Sequence, residues 1–303
     1  MSLVAHDVHA SDGTRLRIWE RTPDEAEEAV LFLHGGMTSS EALLAPPVPD
    51  DDSYSWLSRA AEHGQAVFAL DVRGYGESER PPEMQAPPEA HDPPVRASDA
   101  VMDIEAGFEF VRERFDAVHL VGISWGTMTG GTFVSEHSPN LESLVMCAPV
   151  YLPPYDFEEG LAGLGLDPDL DAYYKEEKQT VMARQGMDEP TPLFEAIWQT
   201  QVNSNQGVEG EDAYVAQTGA LADVRDGCEG NPVYDADAID TPTLVVRGSD
   251  DPVAQRPDAL ALYDDLGATE KQYHEIGGGT HFAMHGPHRQ TLYDTVYDFQ
   301  QRA

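Results

Sequence analysis

The sequence predicts an α/β fold, a mostly parallel central sheet flanked by helices and interrupted by a helical insertion. Two observations carry that expectation. Short apolar runs bounded by turn residues recur along the 303 residues and alternate with segments of helical periodicity, the pattern of a sheet packed between helices. The alternation then lapses between about residues 150 and 239, where helical patterns continue without buried-strand runs.

Taken in order, "RLRIWER" reads as an edge strand and "AVLFLHGG" from Ala29 as a buried one. A helix follows near "YSWLSRAAEHG", closed by a glycine, then the strand "AVFALDVRG" and a long helix from about Ser98 to Phe115. The strand "VHLVGIS" runs directly into a helix from Trp125 to about His137, and "LESLVMCAP" is the next strand. The alternation resumes with the strand "PTLVVRG", a helix near "PDALALYDDLG", the strand "KQYHEIGG" and a C-terminal helix from about Thr291. Residues 1–149 and 240–303 therefore form the expected core, and 150–239 a cap carrying helical patterns such as "DLDAYYKEEKQTVMARQG" and "PLFEAIWQTQV". Such an insertion is expected over the C-terminal edge of the sheet, where open α/β folds bind ligands. The proline-rich stretch "RPPEMQAPPEAHDPPVRA" has no periodicity and reads as a surface loop near the same rim.

Composition excludes several function classes. The chain holds 55 acidic and 18 basic residues, a formal charge of −37, and its only lysines are Lys175, Lys178 and Lys271. A field of that sign repels nucleic acid and anionic membranes, so neither is an expected partner. The acids are spread through every segment, which makes an acidic solvation shell and not an interaction arm, similar to the composition of haloarchaeal proteins. No stretch approaches the roughly 18 apolar residues of a membrane span, and "MSLVAHDVHASDGTRL" has no signal-peptide pattern, so a cytoplasmic protein is expected. Cys147 and Cys228 read as ordinary thiols, and no histidine or cysteine spacing suggests a metal; no cofactor is expected. Salt is expected to set stability. The melting temperature should rise from dilute buffer to molar potassium chloride as the acidic shell is screened, and a constant value would contradict this.

One segment carries chemistry. In "VHLVGISWGTMTGG" a strand ends in Ser124 with glycine two residues to either side, then turns at once into a helix. A sharp strand-to-helix turn of this kind pushes the serine into the open, and only glycine at Gly122 and Gly126 avoids a backbone clash.

With this segment in place the chain resembles the α/β-hydrolase superfamily over nearly its full length. "LFLHGGM" is similar to the family's His-Gly segment, "DVRGYGES" to the turn after the next strand, "GISWGT" to the nucleophile elbow, "VVRGSDDPV" to the loop of the triad acid and "GGGTHFAMH" to the loop of the triad histidine. The order Ser, Asp, His is that of this fold. The resemblance implies Ser124 as nucleophile, His281 as base and then acid, and Asp251 as its orienting carboxylate, since a serine hydroxyl attacks only when an oriented imidazole takes its proton. It places the acid third after Gly248, which selects Asp251, with Asp250 as the alternative. His281 is chosen over His274, which lies in a strand pattern, and over His285 and His288, which lie past the glycine turn. The resemblance also implies an oxyanion hole from the amides of Trp125 and Gly36, with Met37 the alternative to Gly36.

Other residues have plainer readings. His34 is expected to fix its loop by hydrogen bonding, and Asp71 and Arg73 to hold the turn after their strand. Trp198, Tyr173, Tyr174 and Phe194 either line an acyl pocket or pack the cap, and their helical spacing favours packing. The implied function is hydrolysis of a small ester or amide substrate through an acyl-enzyme on Ser124. The alternatives are a proline-iminopeptidase-like aminopeptidase, an acyltransferase and a non-catalytic binding protein on the same fold. The peptidase pattern is broken by the lack of Pro-Gly after "HGG" and by Gln199, where that family's cap tends to carry glutamate.

Overall fold

The computed structural model describes residues 2–303. An eight-stranded sheet forms from β1 (Val4–His9), β2 (Arg15–Arg21), β3 (Glu28–Leu33), β4 (Ala66–Asp71), β5 (Ala117–Ile123), β6 (Ser143–Cys147), β9 (Thr243–Gly248) and β10 (Lys271–Ile276). Its spatial order is β1-β2-β4-β3-β5-β6-β9-β10. The first two pairings, β1 with β2 and β2 with β4, are antiparallel, and the remaining five are parallel.

The central strands read as near-continuous apolar runs because helices cover both of their faces, and alternate side chains serve opposite layers. Leu31 and Leu33 of β3 pack with Ile104 and Phe108 of α3 (Ala97–Arg112) and Phe133 of α4 (Trp125–His137). Val30 and Phe32 pack on the other side with Leu43 and Leu44 of α1 (Ser40–Leu44), Trp56 and Leu57 of α2 (Trp56–Glu62), and Val296 and Phe299 of α10 (Arg289–Gln300). Helix α9 (Arg256–Asp265) joins the first layer through Ala259 and Leu262.

This topology positions the site. The chain runs from β3 out to β4 on one side and returns to β5 on the other, so the order reverses between β3 and β5, which pair with Leu33 opposite Gly122. Such a switch point opens a crevice at the carboxyl ends of the two strands. The loop after β3 begins with His34 and the turn after β5 holds Ser124.

Two sequence expectations need correction. "RLRIWER" is not an edge strand, because β1 covers it; β1 is half polar and largely exposed, so no hydrophobic pattern announced it. The segment from 150 to 239 contains α5 (Phe157–Gly163), α6 (Lys178–Arg184), α7 (Pro192–Val202) and α8 (Gly219–Cys228), but also an antiparallel ribbon of β7 (Tyr173–Glu177) and β8 (Ala213–Gln217). "YYKEE" was expected to be helical. Strand pairing with a buried segment 36 to 44 residues away decides otherwise, a tertiary effect on a stretch too short for periodicity to settle. The proline-rich loop forms two short 3₁₀ turns and packs against the ribbon, with Ala172 N–H donating to the Pro88 carbonyl at 3.0 Å and the Tyr173 hydroxyl to that of Ala86 at 2.9 Å.

Candidate active site

Ser124 caps β5 at φ 53°, ψ −119°, a backbone conformation that residues with a Cβ rarely adopt. The turn holds because its neighbours leave no alternative. A Cβ on Gly122 would lie 2.3 Å from the Gly126 carbonyl oxygen, and one on Gly126 would lie 2.3 Å from that of Leu33. Both approaches are far inside van der Waals contact, so the two glycines answer a steric demand. The Ser124 amide donates to the Cys147 carbonyl at 2.9 Å, and the Ser124 carbonyl accepts the Thr127 amide at 2.8 Å and its hydroxyl at 2.6 Å.

The structure brings the three triad candidates together. His281 Nε2 is 3.0 Å from Ser124 Oγ, and its Nδ1 is 2.9 Å from Asp251 Oδ2 and 3.1 Å from Oδ1. Asp251 is almost fully buried and accepts the amides of Val253 and Ala254, each at 2.9 Å. Burial alone would raise its pKa, but the His281 hydrogen bond and these amides outweigh it and hold the carboxyl below its ordinary range. An ionised Asp251 places the proton on Nδ1 and leaves Nε2 free to accept from Ser124. Asp250 is exposed, and its carboxylate accepts the Ser249 hydroxyl at 2.8 Å. The acid and histidine loops abut at Gly248, where a Cβ would meet the Gly279 carbonyl oxygen at 2.2 Å.

The competing histidines point elsewhere. His274 and His288 are exposed, and His285 Nε2 meets the Leu43 carbonyl at 2.8 Å. His34 is buried; its Nε2 accepts the Val72 amide at 3.1 Å, so its Nδ1 donates to the Gly35 carbonyl at 2.7 Å. Burial lowers its pKa to about 4, and it stays neutral. Asp71 accepts the Ser40 amide at 2.8 Å, the Trp19 indole at 3.0 Å and the Glu77 amide at 3.1 Å. Arg73 forks onto the buried Asp103 and reaches Asp12. These groups fix turns and do not touch the triad.

Glu41, on α1 beside this cluster, makes a pH prediction. Burial first, then the Asp71 and Glu77 carboxylates, raise its pKa from 4.5 to about 7, and Arg17 offsets only part. Between those values the folded protein holds a proton that the unfolded chain has released, so this group's contribution to stability falls as pH rises through 7. Glu41→Gln should match the wild type in thermal melting at pH 4.5 and exceed it at pH 8. Parity at pH 8 would refute the assignment.

Among the described residues neither the Gly36 nor the Trp125 amide donates to a protein acceptor, whereas the Met37 amide donates to the Tyr75 hydroxyl at 3.3 Å. Trp125 opens α4, and a Cβ on Gly36 would lie 4.0 Å from that of Trp125. Phe194 and Trp198 pack with Val181, Met182, Tyr214 and Ala216 in a cluster within 150–239, with Met37 against it. Tyr173 and Tyr174 donate to backbone carbonyls, of Ala86 and Asp167. These aromatics hold the segment together. Three residues whose side chains contact the loops around Ser124 are not among the sequence-predicted site residues: Tyr75, which lies in the "DVRGYGES" turn, and Gln201 and Asp223, which nothing local marks. Both cysteines are free, and among the described residues no cluster could hold a metal and no helix is long and apolar enough to cross a membrane.

Known proteins share this architecture. An esterase from Exiguobacterium antarcticum superposes with a TM-score of 0.69 at 16% identity, covering 98% of this chain and 100% of its own. The enol-lactonase from Burkholderia xenovorans gives 0.63 at 15% identity, covering 98% and 100%. In sequence the chain is similar to two probable lysophospholipases of Arabidopsis thaliana. BODYGUARD 4 is 28% identical over 138 residues, 44% of this chain and 28% of the relative. BODYGUARD 1 is 23% identical over 154 residues, 49% of this chain and 28% of the relative. The chain thus spans about 28% of the length of these curated relatives. A family model described as alpha/beta hydrolase fold matches residues 28–286, and the chain belongs to that family.

Proposed function

We propose that the protein is a serine hydrolase that cleaves a small carboxylic ester through an acyl-enzyme on Ser124. The observation that carries this reading is the continuous hydrogen-bond chain from Ser124 Oγ through His281 to the buried Asp251. In the first step Ser124 Oγ attacks the carbonyl carbon as His281 Nε2 takes its proton, and Asp251 stabilises the resulting imidazolium. The unpartnered amides of Gly36 and Trp125 receive the developing oxyanion, the second helped by its place at the start of α4. His281 then gives its proton to the departing alkoxide. Water repeats the sequence on the acyl-enzyme, releasing the acid and restoring Ser124.

Relatives named esterase, enol-lactonase and lysophospholipase support an ester over an amide. The aminopeptidase alternative needs a carboxylate for the substrate amine. The acid of α7, Glu195, is instead engaged by Lys178 and Gln199. The segment 150–239 acts as the cap on this site. The test is a panel of short-chain p-nitrophenyl esters and aminoacyl anilides, assayed with and without an alcohol acceptor while the intact mass is followed. Ester turnover with a transient acyl adduct on Ser124 is expected. Turnover of anilides alone would replace it with a peptidase, and acyl transfer to the alcohol in preference to water with an acyltransferase.

A further inference from the structure

The oxyanion loop cannot hold its own shape. Met37 lies at φ 69°, a region that a residue with a Cβ occupies only when its surroundings hold it there. Three consecutive peptides of this loop are each gripped by a different side chain. The Gly35 carbonyl accepts His34 Nδ1–H at 2.7 Å, and because a trans peptide directs its C=O and N–H oppositely, this aims the Gly36 amide away from His34. The next peptide is held by its Met37 amide, which donates to Tyr75 Oη at 3.3 Å. The third is held by its Met37 carbonyl, which accepts Gln201 Nε2–H at 3.1 Å.

Gln201 is almost fully buried, and both ends of its amide serve this loop. Its Oε1 accepts the Ser39 amide at 3.0 Å and the Ser39 hydroxyl at 2.7 Å. It comes from α7, within the segment between β6 and β9. The same segment reaches the loop elsewhere. Ala220 packs so closely on Gly36 that a Cβ there would sit 2.9 Å from its own, and the Tyr75 hydroxyl donates to the Gln217 carbonyl at 3.4 Å. Asp223 accepts the indole N–H of Trp125, the other donor residue, at 2.7 Å.

We infer that Gln201 is a positioning residue for catalysis: the inserted segment, through the Gln201 amide on Met37 and Ser39, sets the direction of the Gly36 oxyanion donor. The inference rests on the serine-hydrolase reading above. Gln201 touches no reacting atom, so its effect belongs to the transition state, where the oxyanion exists, and not to ground-state binding.

The experiment uses the whole chain in high salt, with p-nitrophenyl acetate as substrate and a trifluoromethyl ketone as a tetrahedral-adduct inhibitor. Gln201→Met keeps the volume and removes both hydrogen-bonding functions. It should lower kcat by about 10- to 100-fold, less than the ~10²–10³-fold typical of deleting an oxyanion donor outright, with KM within about threefold. Affinity for the ketone should fall by the same factor as kcat, while affinity for acetate stays constant. Ser39→Ala, which removes one of the three hydrogen bonds that Gln201 makes to the loop, should move kcat the same way by a few-fold. Tyr75→Phe combined with Gln201→Met should cost less than the product of the single losses, because both act on adjoining peptides of one loop. A folded Gln201→Met with unchanged kcat, or a loss carried by KM alone, would overturn the inference. If that variant does not fold, Ser39→Ala decides, and an unchanged kcat overturns it. A wild type that neither turns over esters nor reacts with a fluorophosphonate overturns the hydrolase reading, and this inference with it.

Discussion

Ser124→Ala is expected to lower kcat/KM by about 10⁶-fold, the scale seen when the nucleophile of a concerted triad is removed. The residual rate would come from the oxyanion amides and substrate binding, which do not depend on the hydroxyl. Its folded stability should stay close to that of the wild type, because alanine keeps the Cβ that makes φ 53° unfavourable. Ser124→Gly supplies the contrast. Glycine enters the left-handed region freely, so this variant should be equally inactive yet more stable by roughly 1 kcal/mol. Such an outcome identifies the turn as a place where stability is given up for the exposure of one oxygen. Denaturation in urea at fixed high salt reads the difference, and a Ser124→Gly less stable than Ser124→Ala would show that the turn is not strained.

Large stability effects belong to the glycines two residues to either side of that serine. Gly126→Ala drives a methyl to 2.3 Å from the Leu33 carbonyl oxygen and 2.7 Å from that of His34, and Gly122→Ala drives one to 2.3 Å from the Gly126 carbonyl oxygen. The colliding atoms are backbone of β3, of the residue that follows it and of α4, which cannot rotate away as a side chain could. Each substitution should cost about 3 kcal/mol or more, at the upper end of what overpacking does. A cost under about 1 kcal/mol would mean, for Gly126→Ala, that β3 and α4 are less closely apposed than described and, for Gly122→Ala, that β5 and α4 are. The two effects also separate causes: Ser124→Ala removes chemistry with little change in fold, and Gly126→Ala damages the fold while leaving every reacting group in the chain.

These positions were legible in the sequence for a physical reason. Each triad candidate stands just beyond the carboxyl end of a strand, Ser124 and Asp251 where a buried apolar run stops and His281 after the half-polar β10 and its run of three glycines, so all three are marked by local pattern as well as by residue type. His34 was legible as a residue that fixes its loop by hydrogen bonding, which it does through the Val72 amide and the Gly35 carbonyl. β1 was not, since its alternation is polar and exposed, and neither was β7, whose strand state is imposed by β8. Gln201 is the clearest case. Its bond to Ser39 spans 162 residues, and "IWQTQV" reads only as an amphipathic helix. A glutamine whose importance lies in what it holds leaves no periodic trace. The acidic composition hid acids in the same way: Asp223 and Asp103 are buried and paired with Arg96 and Arg73, yet 55 acidic residues made each look like part of the shell.

The most direct test of the central claim, that Ser124 is activated by His281 and Asp251, is the intact mass of the protein in high salt after exposure to a fluorophosphonate. A single adduct on the wild type, absent from Ser124→Ala, is the predicted result. An unlabelled wild type that is nonetheless folded, or labelling that persists in Ser124→Ala, would contradict it.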